Sequence, residues 1–378
     1  MPSRSDSFEK PDDESLLVQV AQDLEALLGQ DLTSRADAAL IPDWSARARK
    51  ALGRLVGADG ALDVEVLRNF RRHQILVDDI PAWDLGGFWK NNAVRNSVVG
   101  WRRGTCHCLV ECLRVLQERG FAPVLRRHPC PPVGNPHVFS REGYRYTFRW
   151  ARHAYFIGLM NEVLGGRLDE AFVALDIGSS YGGFSYLARK EHPASHHVLV
   201  DLPEQLILAR YFLGSCLPGA RIAGPRELMR ESSITRQFLL EHDFVLVPTS
   251  VFEKLSPGSV DLVTNFASFT EMTREYFDRY LRSEVFRTSR YFYTINRIEP
   301  YPAGYGTDVS ILDFPIADRA KRLHFGVCPI FSVDFMFRER RLFFLSRTEP
   351  PPYFEYIGAT SERLDGIASG STWPGNLT

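Results

Sequence analysis

From residue 171 onward, short apolar runs alternate with amphipathic stretches, the pattern of a mostly parallel sheet covered by helices on both faces. Strands are predicted at FVALDIG, HHVLVDLP, DFVLVPTS, VDLVTNF and RYFYTINR, and helices at GFSYLARKE, EQLILARYFLG and TEMTREYFDRYLRSEVF. HFGVCPIFSVDFMF and RRLFFLSRTE fit an antiparallel closing pair, and the turn-rich IASGSTWPGNLT is expected to be peripheral. The first half of the chain reads differently. Helical spacing runs through SLLVQVAQDLEALLG to a stop at Gly29, through WSARARKALGRLV, DVEVLRNFRRHQILVDDI, GTCHCLVECLRVLQERG to Gly120, and RHAYFIGLMNEVLGG. GFWKNNAVRN suggests an aromatic turn, and the prolines between 121 and 150 predict a connector with short extended pieces. The expected division is a mainly helical region over 1–165 and an α/β domain over 166–378.

Composition narrows the function. With 45 basic against 46 acidic residues, the chain lacks the charge for tracking a phosphate backbone, so nucleic acid is not an expected partner. Of the 45 basic residues 39 are arginines, which genomic bias explains more simply than anion recognition. The N-terminus carries acids where a secretory segment needs an apolar run, and no apolar stretch is long enough to span a bilayer, so a soluble, cytoplasmic protein without a membrane partner is expected. Six cysteines form no disulfide framework. Cys106, His107, Cys108 and Cys112 cluster in TCHCLVEC, but no second ligand pair follows at metal-binding spacing, and small buried thiols are the simpler reading.

The densest chemistry lies in LDIGSSYGGFSYLAR. Asp176 ends a predicted strand, and Gly178, Ser180, Gly182 and Gly183 occupy the turn before a helix, where glycine permits a tight turn and close backbone approach. Asp201 in VLVDLP ends the next strand, where it can accept hydrogen bonds from a ribose diol, so the pair of features points to an adenosine cofactor. A phosphate-cradling loop would require GxxxxGK[ST], which is absent, and Ser180 and Tyr181 obstruct the turn that a dinucleotide pyrophosphate needs.

LDIGSSYGGFSYLAR, VLVDLPEQL, VDLVTNFASFTEM and YFYTINR, in that order, resemble the class I S-adenosylmethionine-dependent methyltransferases, and more narrowly a bacterial sugar O-methyltransferase family. VGNPHVF and RHAYF extend the similarity, which covers most of residues 85–350. The resemblance implies a Rossmann-like, seven-stranded sheet with an N-terminal helical cap and methyl transfer from S-adenosylmethionine. Asp176 and the backbone of Gly178 to Gly182 would orient the methionine portion, with Tyr155 and Tyr181 closing over it. Asp201 would hold the ribose, Leu202 cover the adenine, and Thr249 or Ser250, after Pro248, approach the adenine amine. Ser180 departs from the usual motif, which has glycine there.

The strand at VDLVTNF runs into Asn265, Ser268 and Glu271, at the strand ends where open α/β sheets bind ligands. Asn265 and Ser268 suit the shaping of a cofactor–substrate junction. Glu271 could take a proton from a hydroxyl or cap a helix beginning near Met272. His153, on the cap side, and His324 are further candidate bases. Arg149, Arg152 and Arg297 could bind an anionic group of the substrate. No compact ligand set calls for a divalent metal such as Mg2+. The expected activity is O-methylation of a small-molecule acceptor, a sugar or glycosylated natural product. N-, C- or carboxyl-methylation keeps the same cofactor half, and a noncatalytic cofactor-fold protein is a rival of another class. The helical region is available as a cap, a homodimer interface or both.

Overall fold

β3 (Val173–Ile177) is the centre of the fold, and every one of its five residues is buried. It pairs in parallel with β4 (His196–Asp201) on one side and β7 (Leu262–Phe266) on the other. The computed structural model describes residues 13–28, 50–57, 60–77, 79, 98–300, 308–317, 321–333 and 352–360, with no side-chain description at 13, at 28 and over 98–107. A two-stranded ribbon of β1 (Phe139–Arg141) and β2 (Tyr144–Tyr146) precedes the main sheet. The sheet adds β5 (Ile222–Ala223), β6 (Phe244–Pro248), β8 (Tyr291–Arg297), β9 (Arg322–Val327) and β10 (Tyr353–Ala359), in the order β5-β6-β4-β3-β7-β8-β10-β9. The expected α/β architecture is therefore present, with the two-residue β5 as an eighth strand at one edge. β10 runs antiparallel to both of its neighbours.

Alternate residues of the central strands feed two apolar layers, as the period of two requires. Val173, Leu175, Ile177, Val198, Val200, Val245 and Val247 lie in one layer, and Ala174, Leu199, Leu246, Leu262 and Tyr293 in the other. The second layer is continuous with the helical half, from Val20 through Leu116 and Tyr155 to Ile357. There α1 (Asp13–Leu28) buries Val20, Leu24 and Leu27, and α2 (Val98–Glu118) buries Cys108, Cys112 and Leu116, each set on one helical face. After the short α3 (Ala122–Arg127), α4 (Phe148–Leu164) starts at Thr147, whose hydroxyl accepts from Trp150 N at 3.2 Å. Behind the strands, α5 (Gly183–Glu191) follows β3 and α6 (Pro203–Cys216) follows β4, the latter with proline in its first turn.

Several elements differ from the sequence expectation. Among the described residues of the stretch 63–80, helix runs only over Val64–Arg68 and the chain then turns, with Gln74 and Leu76 at φ 52° and 55°. The long helix expected over 270–286 is three pieces: a 3-10 turn Phe269–Glu271, α7 (Arg274–Leu281) and a last turn Glu284–Arg287 opened by Ser283, whose hydroxyl accepts from Phe286 N at 3.2 Å. The partner of β9 is β10, a strand in YFEYIGA that the sequence reading did not assign. RRLFFLSRTE, GFWKNNAVRN, residues 44–49 of WSARARKALGRLV, the C-terminal turn-rich segment and the side chains of Cys106 and His107 lie outside the described residues.

Candidate functional site at the ends of the parallel strands

The loop from β3 to α5 is built on left-handed backbone: Gly178, Ser180 and Gly182 have φ of 77°, 53° and 80°. Its turns are tied to the next strand. Gly178 N donates to Val200 O at 2.8 Å, and Ser180 N donates to Asp201 Oδ2 at 2.5 Å, while Asp201 Oδ1 accepts from Leu202 N at 2.7 Å. A side chain at Gly178 would overlap Ser268 Oγ, and one at Gly182 would come within 2.9 Å of Leu199 Cδ2. These glycines let the loop nest on its own fold, the first against the β7 loop and the second against β4.

Two carboxyls lie beneath this loop. Asp176 is buried in β3 and accepts from Thr264 Oγ1 at 2.8 Å. Burial pushes its pKa up to about 7, against the Thr264 hydrogen bond and reinforced by the charge of Asp201. Burial also raises Asp201, to about 6, while the Leu202 and Ser180 amides favour its ionised form. The charge of Arg149 pulls the same way on Asp201. Pro248 pairs with Asp201 across the sheet, which brings the start of the 3-10 turn Thr249–Lys254 beside it. Ser179 Oγ, Ser250 Oγ and Tyr280 OH are buried without hydrogen-bond partners, and the Tyr280 hydroxyl feels the Asp201 charge. Unpaired buried hydroxyls at strand ends are the condition that a polar ligand relieves.

On the other side of β3, Asn265 rivets three loops. Its Nδ2 donates to Ile177 O at 2.7 Å and to Ser268 Oγ at 2.5 Å, and its Oδ1 accepts from Phe269 N at 3.1 Å and from Asn296 Nδ2 at 2.8 Å. Ser268 Oγ also donates to Ile177 O at 3.2 Å. Both side chains therefore fix the junction between β3 and β7. Beyond them Glu271 closes a 3-10 turn instead of capping a helix, since α7 starts only at Arg274. Glu271 Oε1 lies 3.5 Å from Arg297 Nη2, and Arg297 Nε donates to Tyr353 OH at 3.0 Å. An aromatic wall flanks this pair. Phe266 stacks on Phe156 at 4.3 Å, Phe331 stacks on Tyr353 at 4.2 Å, and the Arg152 guanidinium lies 4.0 Å from the Phe148 ring centre and 4.2 Å from that of Phe331.

Other candidate residues sit elsewhere. His153 is buried against the start of α5, where a side chain on Gly183 would lie 2.6 Å from its Cε1. Burial, with Arg149, Arg71 and Arg152 adding, holds its pKa well below the usual imidazole range. It is a neutral ring packed beside Trp150, Phe156 and Tyr181. Tyr181 turns under the loop, against Phe70 and Phe212. Tyr155 OH donates to Glu355 Oε2 at 3.0 Å, and His324 Nε2 lies 3.0 Å from Glu355 Oε1. Both are thus gathered on β10, with His324 on the outer strand facing Ile357, which in turn faces Tyr293 rather than the strand end at Arg297. Among the described residues no group of three or more His, Cys, Asp and Glu is placed to hold a metal, and no helix is long and apolar enough to cross a membrane.

Sequence reasoning missed Arg71, Asp79, Thr264, Asn296 and Glu355. An acid inside the aromatic run YFEYIGA and an asparagine near the end of the apolar run YFYTINR were signals available for the last two.

Solved methyltransferases overlap with part of this fold. Phosphoethanolamine N-methyltransferase 2 of Haemonchus contortus, determined with S-adenosylmethionine, is 13% identical over 55% of this chain and 52% of that one, with a TM-score of 0.34. Magnesium protoporphyrin IX methyltransferase of Synechocystis is 10% identical over 57% and 84% of the two chains, with a TM-score of 0.36. Geranyl diphosphate methyltransferase is 11% identical over 56% and 86%, with a TM-score of 0.37. The chain spans about half the length of the Haemonchus enzyme. At these scores the overlap is partial, and what those proteins bind stays theirs. No family model and no curated protein matches the chain.

Proposed function

We propose that the protein is an S-adenosylmethionine-dependent methyltransferase acting on a hydroxyl of a small molecule, a sugar or glycosylated natural product. The carrying observation is the junction of Ser180 N–H with Asp201 at the carboxyl ends of adjacent parallel strands, the crevice where open α/β sheets take nucleotides. Each Asp201 oxygen accepts one amide and keeps a further lone pair, so the ribose diol has acceptors there. The partnerless hydroxyls of Ser179 and Ser250 fit a polar ligand beside it. When bound, S-adenosylmethionine supplies an electrophilic methyl group on a sulfonium.

In this reading the acceptor binds at the carboxyl end of β7, beside the aromatic wall and the Glu271–Arg297 pair. Apolar rings exclude water and stack against a sugar face, while Glu271 receives the hydroxyl proton and Arg297 orients Glu271. Residues 1–165 serve in this reading as the cap over the acceptor.

The test is calorimetric binding of S-adenosylhomocysteine, followed by incubation with methyl-labelled S-adenosylmethionine and panels of sugars, glycosides and amines. Binding and label on a sugar oxygen are expected, with Glu271→Gln lowering turnover about 100-fold or more at unchanged cofactor affinity. Label only on amines would overturn the O-methylation part. Absence of cofactor binding would leave a noncatalytic fold.

A further inference from the structure

Beneath the cofactor loop lies an ion pair that the proposed chemistry does not use. Arg71 is 1% exposed and Asp79 2%. The two meet through two bonds, Arg71 Nε to Asp79 Oδ2 at 2.5 Å and Nη2 to Oδ1 at 3.3 Å. Arg71 Nη1 also donates to the carbonyls of Pro131 at 3.0 Å and Val133 at 3.3 Å, and Nη2 approaches Cys130 Sγ at 3.1 Å. Asp79 Oδ1 accepts from Thr147 Oγ1 at 2.7 Å, the residue that caps α4. Asp79 and the 130–133 segment are thus fastened to one planar guanidinium, and Thr147 is joined through Asp79, a geometry that the point charge of lysine would not satisfy.

The remaining face of that guanidinium meets the loop. Its carbon lies 5.2 Å from the ring centre of Tyr181 and 5.8 Å from that of Phe212, and Phe70 meets the Tyr181 ring edge-to-face at 5.6 Å. Tyr181 stands between Ser180, whose amide is held by Asp201, and Gly182. A second strap runs alongside: Gln205 Nε2 donates to Leu76 O at 3.0 Å, and Ser180 Oγ lies 3.5 Å from Gln205 Oε1.

We propose that the Arg71–Asp79 pair is a positioning device for the cofactor, holding Tyr181 so that the left-handed loop keeps its Ser180–Asp201 geometry before the ligand arrives. This rests on the cofactor reading above. A desolvated cation–aromatic contact and a pre-ordered loop together predict an affinity effect of about tenfold.

The pair can be removed without leaving a lone buried charge by replacing both members with apolar residues of similar volume. The experiment compares wild type, Arg71→Met/Asp79→Leu and Arg71→Lys by S-adenosylhomocysteine calorimetry, thermal melting and amide hydrogen exchange. The double variant is expected to melt near the wild-type temperature, bind about tenfold more weakly, and exchange faster at residues 179–183 while β3 and β4 stay protected. If it does not fold, Arg71→Lys decides, because losing the planar fork must weaken binding and loosen the same amides. Unchanged affinity in a folded variant, or faster exchange confined to 130–134 and α4, overturns the proposal. Wild type that binds no S-adenosylhomocysteine overturns the cofactor reading instead.

Discussion

Asp201→Asn tests the centre of the site. In the wild type the carboxylate accepts from Ser180 N at 2.5 Å and Leu202 N at 2.7 Å, and the ribose hydroxyls would add bonds to the same charge. A hydrogen bond to an ionised group contributes about 1.5–3 kcal/mol, so its loss raises the cofactor dissociation constant roughly 10- to 150-fold. Asparagine adds to this by turning an NH2 toward one of the two amides that the carboxylate satisfies. The pH dependence sharpens the test. Burial places the free Asp201 carboxyl at about 6, and ribose donors favour its ionised form, so the ligand-bound carboxyl titrates lower than the free one. Affinity is therefore full above this value and falls as pH drops through about 6, by at most about tenfold per pH unit. Calorimetry with S-adenosylhomocysteine from pH 8 to 5 measures both effects. Asp201→Asn should bind weakly at pH 8 and lose this slope, leaving only the contribution of Asp176. An affinity within threefold of wild type at pH 8, or an unchanged slope, refutes the assignment.

Three further outcomes follow from the same geometry. The Asp176 carboxyl is raised from 3.8 to about 7, so its charge opposes folding above about 7 and that cost disappears as pH falls toward 3.8. Asp176→Asn keeps an acceptor for Thr264 Oγ1 and is expected to raise the melting temperature at pH 8, with a ceiling of about 4 kcal/mol, and to have no advantage at pH 4; lower stability at pH 8 would count against it. Ser180→Gly relieves a φ of 53° and is expected to stabilise by about 1 kcal/mol in urea denaturation; a loss of stability would refute this. Gly178→Ala puts a methyl group into Ser268 Oγ on backbone at φ 77°, so it should destabilise by roughly 2 kcal/mol or more; a neutral result would mean that the β7 loop yields.

The parallel strands were legible because a strand buried on both faces is apolar along most of its length, and VALDI, FVLVP and LVTNF advertise that without any partner. The loop was legible for a related reason: left-handed backbone demands glycine, and two of its three left-handed positions carry one. Long-range polar partners were not legible. Tyr155 read as a lid for the cofactor, yet its hydroxyl binds Glu355, two hundred positions away in sequence. His324 read as a base and is drawn to that same carboxylate. His153 stood in the right segment, but only the packed structure reveals the burial and the three arginines that keep it uncharged.

Arg71 explains why the helical half resisted a functional reading. In DVEVLRNFRRHQILVDDI the spacing of Leu67 and Phe70 suggests an amphipathic helix, on which an arginine beside Phe70 belongs to the wet face. The helix instead stops at Arg68, and the chain turns Arg71 inward to meet two carbonyls, a carboxylate and the ring of Tyr181. A helical pattern cannot announce this, because the partners come from 79, 130–133 and 181. The arginine excess likewise ceases to be uniform background. Arg71 and Arg152 both lie against aromatic rings, where a planar guanidinium stacks and the compact ammonium of lysine does not. If the loop is held from below by Arg71, the preceding helical segments help set cofactor affinity as well as covering the acceptor, and a substitution at 71 or 79 should be felt first at Ser180.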